Sequence, residues 1–471
     1  MDGRAAGTVS PSREDPLVAR LSPVVGGPAG TRVRAGRHGW WTAVRALLVV
    51  AVVMLSLGVV EKQHCRAEGW STPDQFFHAC YSDLPVVYDS ADLGAGASPY
   101  TGDGGYLNQP VLTGVALWAV AEVVPEGSAA DRARWYFDIS TVVVGILLLT
   151  LVALTAASAG RRRPWDAALV AASPLVALSA LVSLDLLGVT LAAAGLLAWA
   201  RSRPVVAGVL LGLATTARTY PLLLVFVLAV LAARTGRWSQ WTRTAGAAVC
   251  TVVAVLLPWV VVSWAGISAS YRAWAAGGAG YGSLWLLPQT LLAEPRPRWL
   301  TRLGVQPFTL SPGTVTTLAV LGVVLALAVG MLLALVPERR PRVAQLAFVV
   351  LAVVVLTGKA WPVQASLWLL PLAALARPRW RDLLVWAGTE AVYFVMVWLY
   401  IAASSTADRG LTGPWFGLFL LVRAAGLLWV VGCVVRDILH PDRDVVRADG
   451  TDDPLGGPVA GAPDALVVRL G

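Results

Sequence analysis

The chain has 471 residues, 57% of them hydrophobic and only 14% charged, with a net charge of +9 and a mean hydropathy of +0.67. Soluble domains carry about a quarter charged residues, so this composition excludes an ordinary globular protein. The positive charge is almost wholly arginine, Lys62 and Lys359 being the only lysines; the arginines sit in short loops between apolar segments, the orienting pattern of a membrane protein, and no nucleic-acid partner is expected.

Residues 1–39, rich in Gly, Pro, Ser and Arg and without an apolar face, read as a disordered cytoplasmic tail. The run Trp41 to Val60 is long and lacks a small-residue cleavage site, so it reads as an uncleaved first helix. Apolar runs follow one another at 43–60, 135–158, 166–183, 186–200, 205–217, 221–234, 244–265, 314–336, 343–357, 365–377, 383–402 and 414–435. They predict an all-α polytopic bundle of about twelve transmembrane helices filling residues 40–435. Residues 436–471 are again polar and read as a second disordered cytoplasmic tail.

With the basic N-terminus inside the inner (plasma) membrane, the even count returns the C-terminus inside. Cytoplasmic loops then hold Arg161 to Arg163, Arg201 with Arg203, Arg234 with Arg237 and Arg243, Arg339 to Arg342, and Arg377 to Arg381, as the positive-inside rule asks. Residues 61–134 become a long first extracytoplasmic loop, in which Pro110 to Val124 is a re-entrant or interfacial segment. Merging 205–234 into one helix would put two arginine clusters on opposite sides, so these runs are kept apart. Cys65 and Cys80 share the first loop, where a disulfide can form if the loop is extracytoplasmic; Cys250 and Cys433 lie in apolar runs and read as inert packing residues.

This topology gathers five polar islands at outer helix ends: the acidic loop around Asp83, Asn108-Gln109-Pro110, Asp185, Arg218-Thr219-Tyr220, and Lys359 with Gln364. Charged residues near membrane spans are costly and usually functional, so their convergence suggests one polar site open to the outside. Asp83 has apolar and aromatic neighbours that suit a partly desolvated general base; spacing favours the plainer role of capping a helix that begins at Leu84. Asp185 either caps the returning helix or holds an acceptor hydroxyl or an arginine. Arg218 suits a phosphate or snorkels to the headgroups, and Lys359 with Gln364 would stabilise a phosphate leaving group. Glu390, within a span, needs a partner on a neighbouring helix. Tryptophans such as Trp285, Trp299, Trp361 and Trp380 read as interfacial belts. There is no Walker A lysine motif, no CxxC pair and no HExxH, and the four histidines are not clustered in sequence, which argues against a histidine-ligated metal. With no soluble nucleotide-binding machinery, a donor substrate is expected to be a lipid.

Taken in order, Cys80-Tyr81-Ser82-Asp83-Leu84-Pro85-Val86-Val87-Tyr88, Pro99-Tyr100, Gln109-Pro110-Val111-Leu112-Thr113-Gly114 and Asp185-Leu186-Leu187 form the first half of a pattern. Ala207-Gly208-Val209-Leu210-Leu211-Gly212-Leu213, Arg218-Thr219-Tyr220-Pro221, Gly282-Ser283-Leu284-Trp285, Gln364-Ala365-Ser366-Leu367-Trp368-Leu369-Leu370-Pro371 and Arg379-Trp380 with Glu390 complete it. The ordered set, over roughly residues 40–435, resembles the actinobacterial members of glycosyltransferase family 87, which have the GT-C fold. The resemblance implies a mannosyltransferase-like enzyme that moves a sugar from a polyprenyl-phosphate donor to a cell-envelope glycolipid or glycan, with inversion. It implies Asp83 as catalytic base, Arg218, Lys359, Tyr220 and Gln364 around the donor phosphate, and Asp185, Asn108 and Gln109 around the acceptor. No resident cofactor or metal is assigned, and a divalent-metal requirement is left open; membrane lipids, the lipid-linked sugar and the acceptor are the implied partners. The chain departs from the family where Asn108-Gln109-Pro110 replaces a usual Glu-Tyr-Pro, Ser183-Leu184-Asp185 an Asn-x-Asp, and Arg218-Thr219-Tyr220-Pro221 a Lys-x-Tyr-Pro. Gly358-Lys359 and Pro362-Val363-Gln364 likewise stand for Asn-Lys and Ser-Pro-Gln. A lipid-linked-sugar transporter or flippase and a non-catalytic envelope-assembly paralogue are the competing readings. A transporter predicts polar groups at mid-depth and internal repeats, and no clear repeat is visible.

Overall fold

The computed structural model describes residues 15–26, 40–101, 107–293, 302, 308–406 and 409–468. Among the described residues the secondary structure is helical throughout, with no strand. The α-helices run in chain order as α1 (Pro16–Gly26), α2 (Ala43–Glu61), α3 (Gln63–Glu68), α4 (Asp74–Phe77), α5 (Asp83–Ser90), α6 (Val111–Ala121) and α7 (Ala129–Ala159). Next come α8 (Ala168–Ala171), α9 (Pro174–Ser179), α10 (Leu186–Ala200), α11 (Pro204–Ala217), α12 (Pro221–Thr235), α13 (Trp238–Val262), α14 (Trp264–Ala276) and α15 (Leu287–Leu291). The last are α16 (Pro312–Leu335), α17 (Val343–Thr357), α18 (Ala365–Ala376), α19 (Trp380–Ser405) and α20 (Gly413–Leu439).

Six of these, α2, α7, α13, α16, α19 and α20, are long and apolar enough to cross a membrane. In water such lengths of exposed Val, Leu and Trp would aggregate; in lipid they are the solvated surface, and a helix satisfies its own backbone hydrogen bonds there. The chain is a membrane helix bundle. The shorter apolar helices α6, α10, α11, α12, α17 and α18 have 11 to 15 residues, about 17–23 Å of rise, less than a hydrocarbon core of about 30 Å.

One predicted span is broken. Residues 166–183 form a 3-10 turn, then α8 and α9, divided at Ser173, whose ψ is 131°. Pro174 is the cause: it disfavours helical geometry in the residue before it and donates no backbone hydrogen bond. Ser173 caps the restart, its Oγ accepting from the Leu175 amide at 3.3 Å. Almost every residue from Ala167 to Val189 is buried or nearly so, so this broken segment runs through the middle of the bundle, flanked by α2 and α19.

The helix ends sort into two sets. At one end the arginine clusters tie neighbouring helices together. Arg234 donates to the Ala334 and Glu338 carbonyls at 2.7 and 2.9 Å. Arg342 donates to Leu375 and Ala376 at 2.8 and 2.7 Å, and Arg377 pairs with Asp382 and Asp437. The Ala334, Leu375 and Ala376 carbonyls are orphan acceptors of helix C-termini, which guanidinium groups suit by charge as well as by hydrogen bonding.

These same arginines overturn the expectation of a disordered tail after residue 435. Helix α20 continues to Leu439, and residues 440–468 lie against the arginine end with Leu455 and Val459 buried. Asp444 accepts from Arg342 Nε at 2.7 Å, both side chains being 1% exposed. Asp464 pairs with Arg234 and Arg340 at 2.6 and 2.9 Å, and the Trp199 indole donates to the Gly456 carbonyl. The acidic side chains of this segment neutralise the arginines at these helix ends, and that attraction holds a polar sequence in place. Part of the N-terminal tail is also ordered: Asp15 caps α1 and accepts from the Trp380 amide at 2.8 Å. The rest of that predicted tail, residues 1–14 and 27–39, lies outside the described residues.

Candidate functional site

The opposite helix ends carry the polar islands. The first loop is anchored where α2 ends, with Cys65 and Cys80 joined in a disulfide. Ser82 then binds the break after α9: its Oγ donates to the Leu181 carbonyl at 2.7 Å, and the Asp83 amide donates to the Val182 carbonyl at 2.7 Å. Ser82, not Asp83, is the N-cap of α5, its Oγ accepting from the Leu84 amide. Asp83, expected to cap a helix from Leu84, is instead its first residue, and its carboxylate points elsewhere.

That carboxylate faces a cavity of about 370 Å³ walled by Phe76, Tyr81, Tyr281, Tyr393 and Trp398, with Gln364 as its other polar group near Asp83. The Tyr81 hydroxyl donates to Asp83 Oδ1 at 2.7 Å, and Gln364 Nε2 lies 3.5 Å from Oδ2. Tyr81 is itself held between Phe76 and Trp398, with ring centroids 5.5 and 4.8 Å away. Burial pushes the Asp83 carboxyl above the ordinary aspartate range; the Tyr81 hydrogen bond, Arg218 and Lys62 pull the other way, while Asp185 adds to the rise. Burial likewise raises the Tyr81 phenol, which keeps its proton and stays a donor.

Asp185 makes no side-chain cap to α10. It accepts from Arg218 Nε at 2.9 Å and from Arg218 Nη2, from the Trp368 indole at 2.5 Å and from Ser183 Oγ at 2.7 Å. The structure therefore joins Asp185 to Arg218 rather than leaving either as a lone charge. Gln109 Oε1 accepts from Arg218 Nη1 at 2.8 Å, bringing a third island into the same network. Neighbouring motif residues hold this arrangement: Tyr100 donates to the Gln109 and Pro110 carbonyls, and Thr113 Oγ1 donates to the Ala217 carbonyl at the end of α11. Tyr220 stacks on Trp368 at 5.4 Å, so it supports the indole that Asp185 binds. Asn108 is exposed and outside the network.

Lys359 departs from its expected place. Its ammonium donates to the Trp274 and Ala275 carbonyls at 2.6 and 3.2 Å and to Thr316 Oγ1 at 2.8 Å, beneath the Trp274 ring. All three ammonium donors are thus taken, and they pin the end of α14 to α16; no phosphate role fits this geometry. The neighbouring turn is built from the Gly-Ser-Leu-Trp motif. Ser283 Oγ donates to the Gly358 carbonyl at 2.8 Å and the Trp285 indole to Thr357 at 2.9 Å, satisfying the end of α17. Gly282, at φ +86°, sits where a β-carbon would collide with the Trp361 carbonyl, so glycine is required there.

Glu390 finds its partner on α20: Arg423 Nε donates to Oε2 at 2.9 Å, and the Trp386 indole donates to Oε1 at 3.2 Å. Arg423 also donates to the Trp361 and Pro362 carbonyls at 2.5 and 3.0 Å and stacks between the Trp361 and Tyr393 rings. This pair fixes the turn that presents Gln364 to Asp83. Trp361 is fully buried in it, not part of a lipid-facing belt, and Trp299 lies outside the described residues. Cys433 is buried as expected of a packing residue, whereas Cys250 is exposed on α13.

Three features escaped sequence reasoning. Lys62, completely buried, lies 2.9 Å from Glu61 and 5.3 Å from the Phe394 ring centroid; a lysine at a helix end ordinarily reads as a snorkelling anchor, and its rarity here was the available signal. Arg423 in the last span is a second intramembrane charge. The third is a cluster in space: His64 and His78 come together with Asp74, although nothing in their spacing marks a ligand set. No protein-family model matches the chain, and no curated protein matches it.

Proposed function

We propose that the chain is a membrane glycosyltransferase of the GT-C type that moves a sugar, mannose in the first instance, from a polyprenyl-phosphate donor to an envelope glycolipid or glycan. The observation that carries this reading is Asp83: a carboxylate held by Tyr81 and facing an aromatic-walled cavity. Aromatic walls with a few aimed polar groups are the make-up of a small-molecule site, and a carboxyl with an upward-shifted affinity for protons suits general-base work. In the proposed step Asp83 takes the proton of an acceptor hydroxyl as its oxygen bonds to the anomeric carbon. The bond from that carbon to the phosphate oxygen breaks, and polyprenyl phosphate leaves with the electron pair, inverting the configuration.

Arg218 is the remaining cation for the phosphate. Three of its five N–H bonds go to Asp185 and Gln109, which orients the guanidinium and leaves two donors. Asp185 is then a positioning residue, and Lys359 has no part in the step. In the same proposal the chain makes twelve passages, six of them by short or broken helices sheltered within the bundle. Both termini are cytoplasmic: the arginine end faces inward by the positive-inside rule, and the Asp83 end opens outward.

The test is label transfer in membranes from cells expressing the protein, supplied with radiolabelled polyprenyl-phosphate-mannose and mixed envelope lipids. A new labelled glycolipid absent from control membranes supports the proposal. No transfer from mannose, glucose or pentose forms of the donor overturns it and favours a non-catalytic envelope protein.

A further inference from the structure

The first loop carries a cluster that the Asp83 chemistry does not use. His64 lies on α3, Asp74 opens α4 and His78 closes it, and one ligand atom from each lies within 4.8 Å of the others. His64 Nε2 is 2.7 Å from Asp74 Oδ2, and His78 Nδ1 is 3.2 Å from Asp74 Oδ1. The two imidazoles stack with centroids 3.5 Å apart. Ligands about 2.0–2.1 Å from a tetrahedral zinc ion are about 3.3 Å from one another. The two contacts to Asp74, at 2.7 and 3.2 Å, lie close to that spacing, the whole set lies within 4.8 Å, and rotation of the stacked imidazoles brings their nitrogens onto one ion.

We propose that His64, Asp74 and His78 form a divalent transition-metal site, zinc being the best-suited ion, that clamps the loop above the Asp83 cavity. Two imidazoles and one carboxylate are zinc ligands. Their side chains are 37%, 40% and 47% exposed for His64, Asp74 and His78, which gives an ion a path in and leaves the fourth position to water. The ligands are held in advance: the Cys65–Cys80 disulfide joins the segments immediately beside His64 and beyond His78. Neutral imidazole and ionised carboxylate replace the present direct contacts on binding, so the ion bridges α3 and α4 where hydrogen bonds now do. The consequence reaches the cavity because α4 also carries Phe76, which packs on Tyr81 and Trp398. The ion fixes the wall against which Tyr81 rests; it takes no part in the transfer step, and the site stands whether or not the chain is a transferase.

The experiment uses full-length protein purified in detergent with a tag free of histidine, stripped with chelator and titrated with zinc alone. Elemental analysis after gel filtration is expected to find one zinc per chain, and cobalt in its place is expected to give the intense visible bands of a four-coordinate site. His64→Ala and His78→Ala are each expected to weaken binding by more than about tenfold, since loss even of a residue behind a ligand costs that much, while His440→Ala binds as wild type. Zinc is expected to raise the thermal midpoint of wild type and leave that of His78→Ala unmoved. If either alanine variant loses its monodisperse peak, Asp74→Asn and His64→Gln take its place. Wild type that takes up no stoichiometric zinc, or zinc retained by the histidine variants, overturns the site.

Discussion

Removing Asp185 exposes how the site is held. In Asp185→Ala, Arg218 loses its partner at Nε and Nη2, and the Trp368 indole and Ser183 hydroxyl lose their acceptor. Breaking one side of a buried ion pair costs about 3–5 kcal/mol because the other charge is left unpaired. Asp185 is 1% exposed and Arg218 13%, and Gln109 still holds one guanidinium N–H, so the lower end, about 3 kcal/mol, is the expected loss. Arg218→Met should cost a similar amount, since it strands the carboxylate. With both removed no charge is stranded, and the double variant should lose about 2–3 kcal/mol less than the sum of the singles. The assay is reversible SDS unfolding of the purified protein in mixed micelles, followed by far-ultraviolet circular dichroism. Additivity to within about 0.5 kcal/mol would refute the argument, because pairs that do not touch add to that precision.

Three further outcomes follow from other parts of the molecule. Arg423→Met should destabilise the bundle by about 3 kcal/mol in the same unfolding assay and lower transfer, because it frees the Trp361–Pro362 turn that positions Gln364; Glu390→Gln should do the same more weakly. Sugar transfer should rise with pH through an apparent pKa above the ordinary aspartate range, since burial makes Asp83 hold its proton and only the ionised form acts as base. Tyr81→Phe, which removes a bond to the carboxylate, should move that limb to still higher pH. The sign for stability is opposite: a raised carboxyl favours the folded state at low pH, and that contribution fades as pH rises through the folded value. Maleimide labelling of denatured, unreduced protein should mark Cys250 and Cys433 only, with Cys65 and Cys80 joining after reduction; four labelled cysteines before reduction would contradict the disulfide.

The membrane class was legible because it rests on composition and on long apolar runs, both local properties. Asp83, Gln109, Asp185, Arg218 and Gln364 were also expected near one another, and the structure brings Gln364 to Asp83 and both Asp185 and Gln109 to Arg218. Side-chain partners were not legible. Lys359 sits in an outer turn by sequence, yet its donors go to Trp274, Ala275 and Thr316, far off in the chain and fixed only by how α14 and α16 cross. By sequence Asp83 read as the cap of a helix from Leu84; Ser82 takes that place instead, docked on the Leu181 carbonyl far along the chain. Pro174 was a visible break signal inside a run whose hydropathy alone suggested a continuous span. The final segment looked disordered because its composition is polar; its order comes from pairing with arginines of other helices, which no local window contains.

The most direct test of the central claim is transfer of radiolabelled mannose from polyprenyl phosphate by wild type and Asp83→Asn, side by side at matched expression and disulfide content. Wild type is expected to give a labelled glycolipid, and the variant to lose it by a factor of about 100 or more, the range for removing a positioned general base. Full transfer by Asp83→Asn would contradict the role given to this carboxylate and to the cavity it faces.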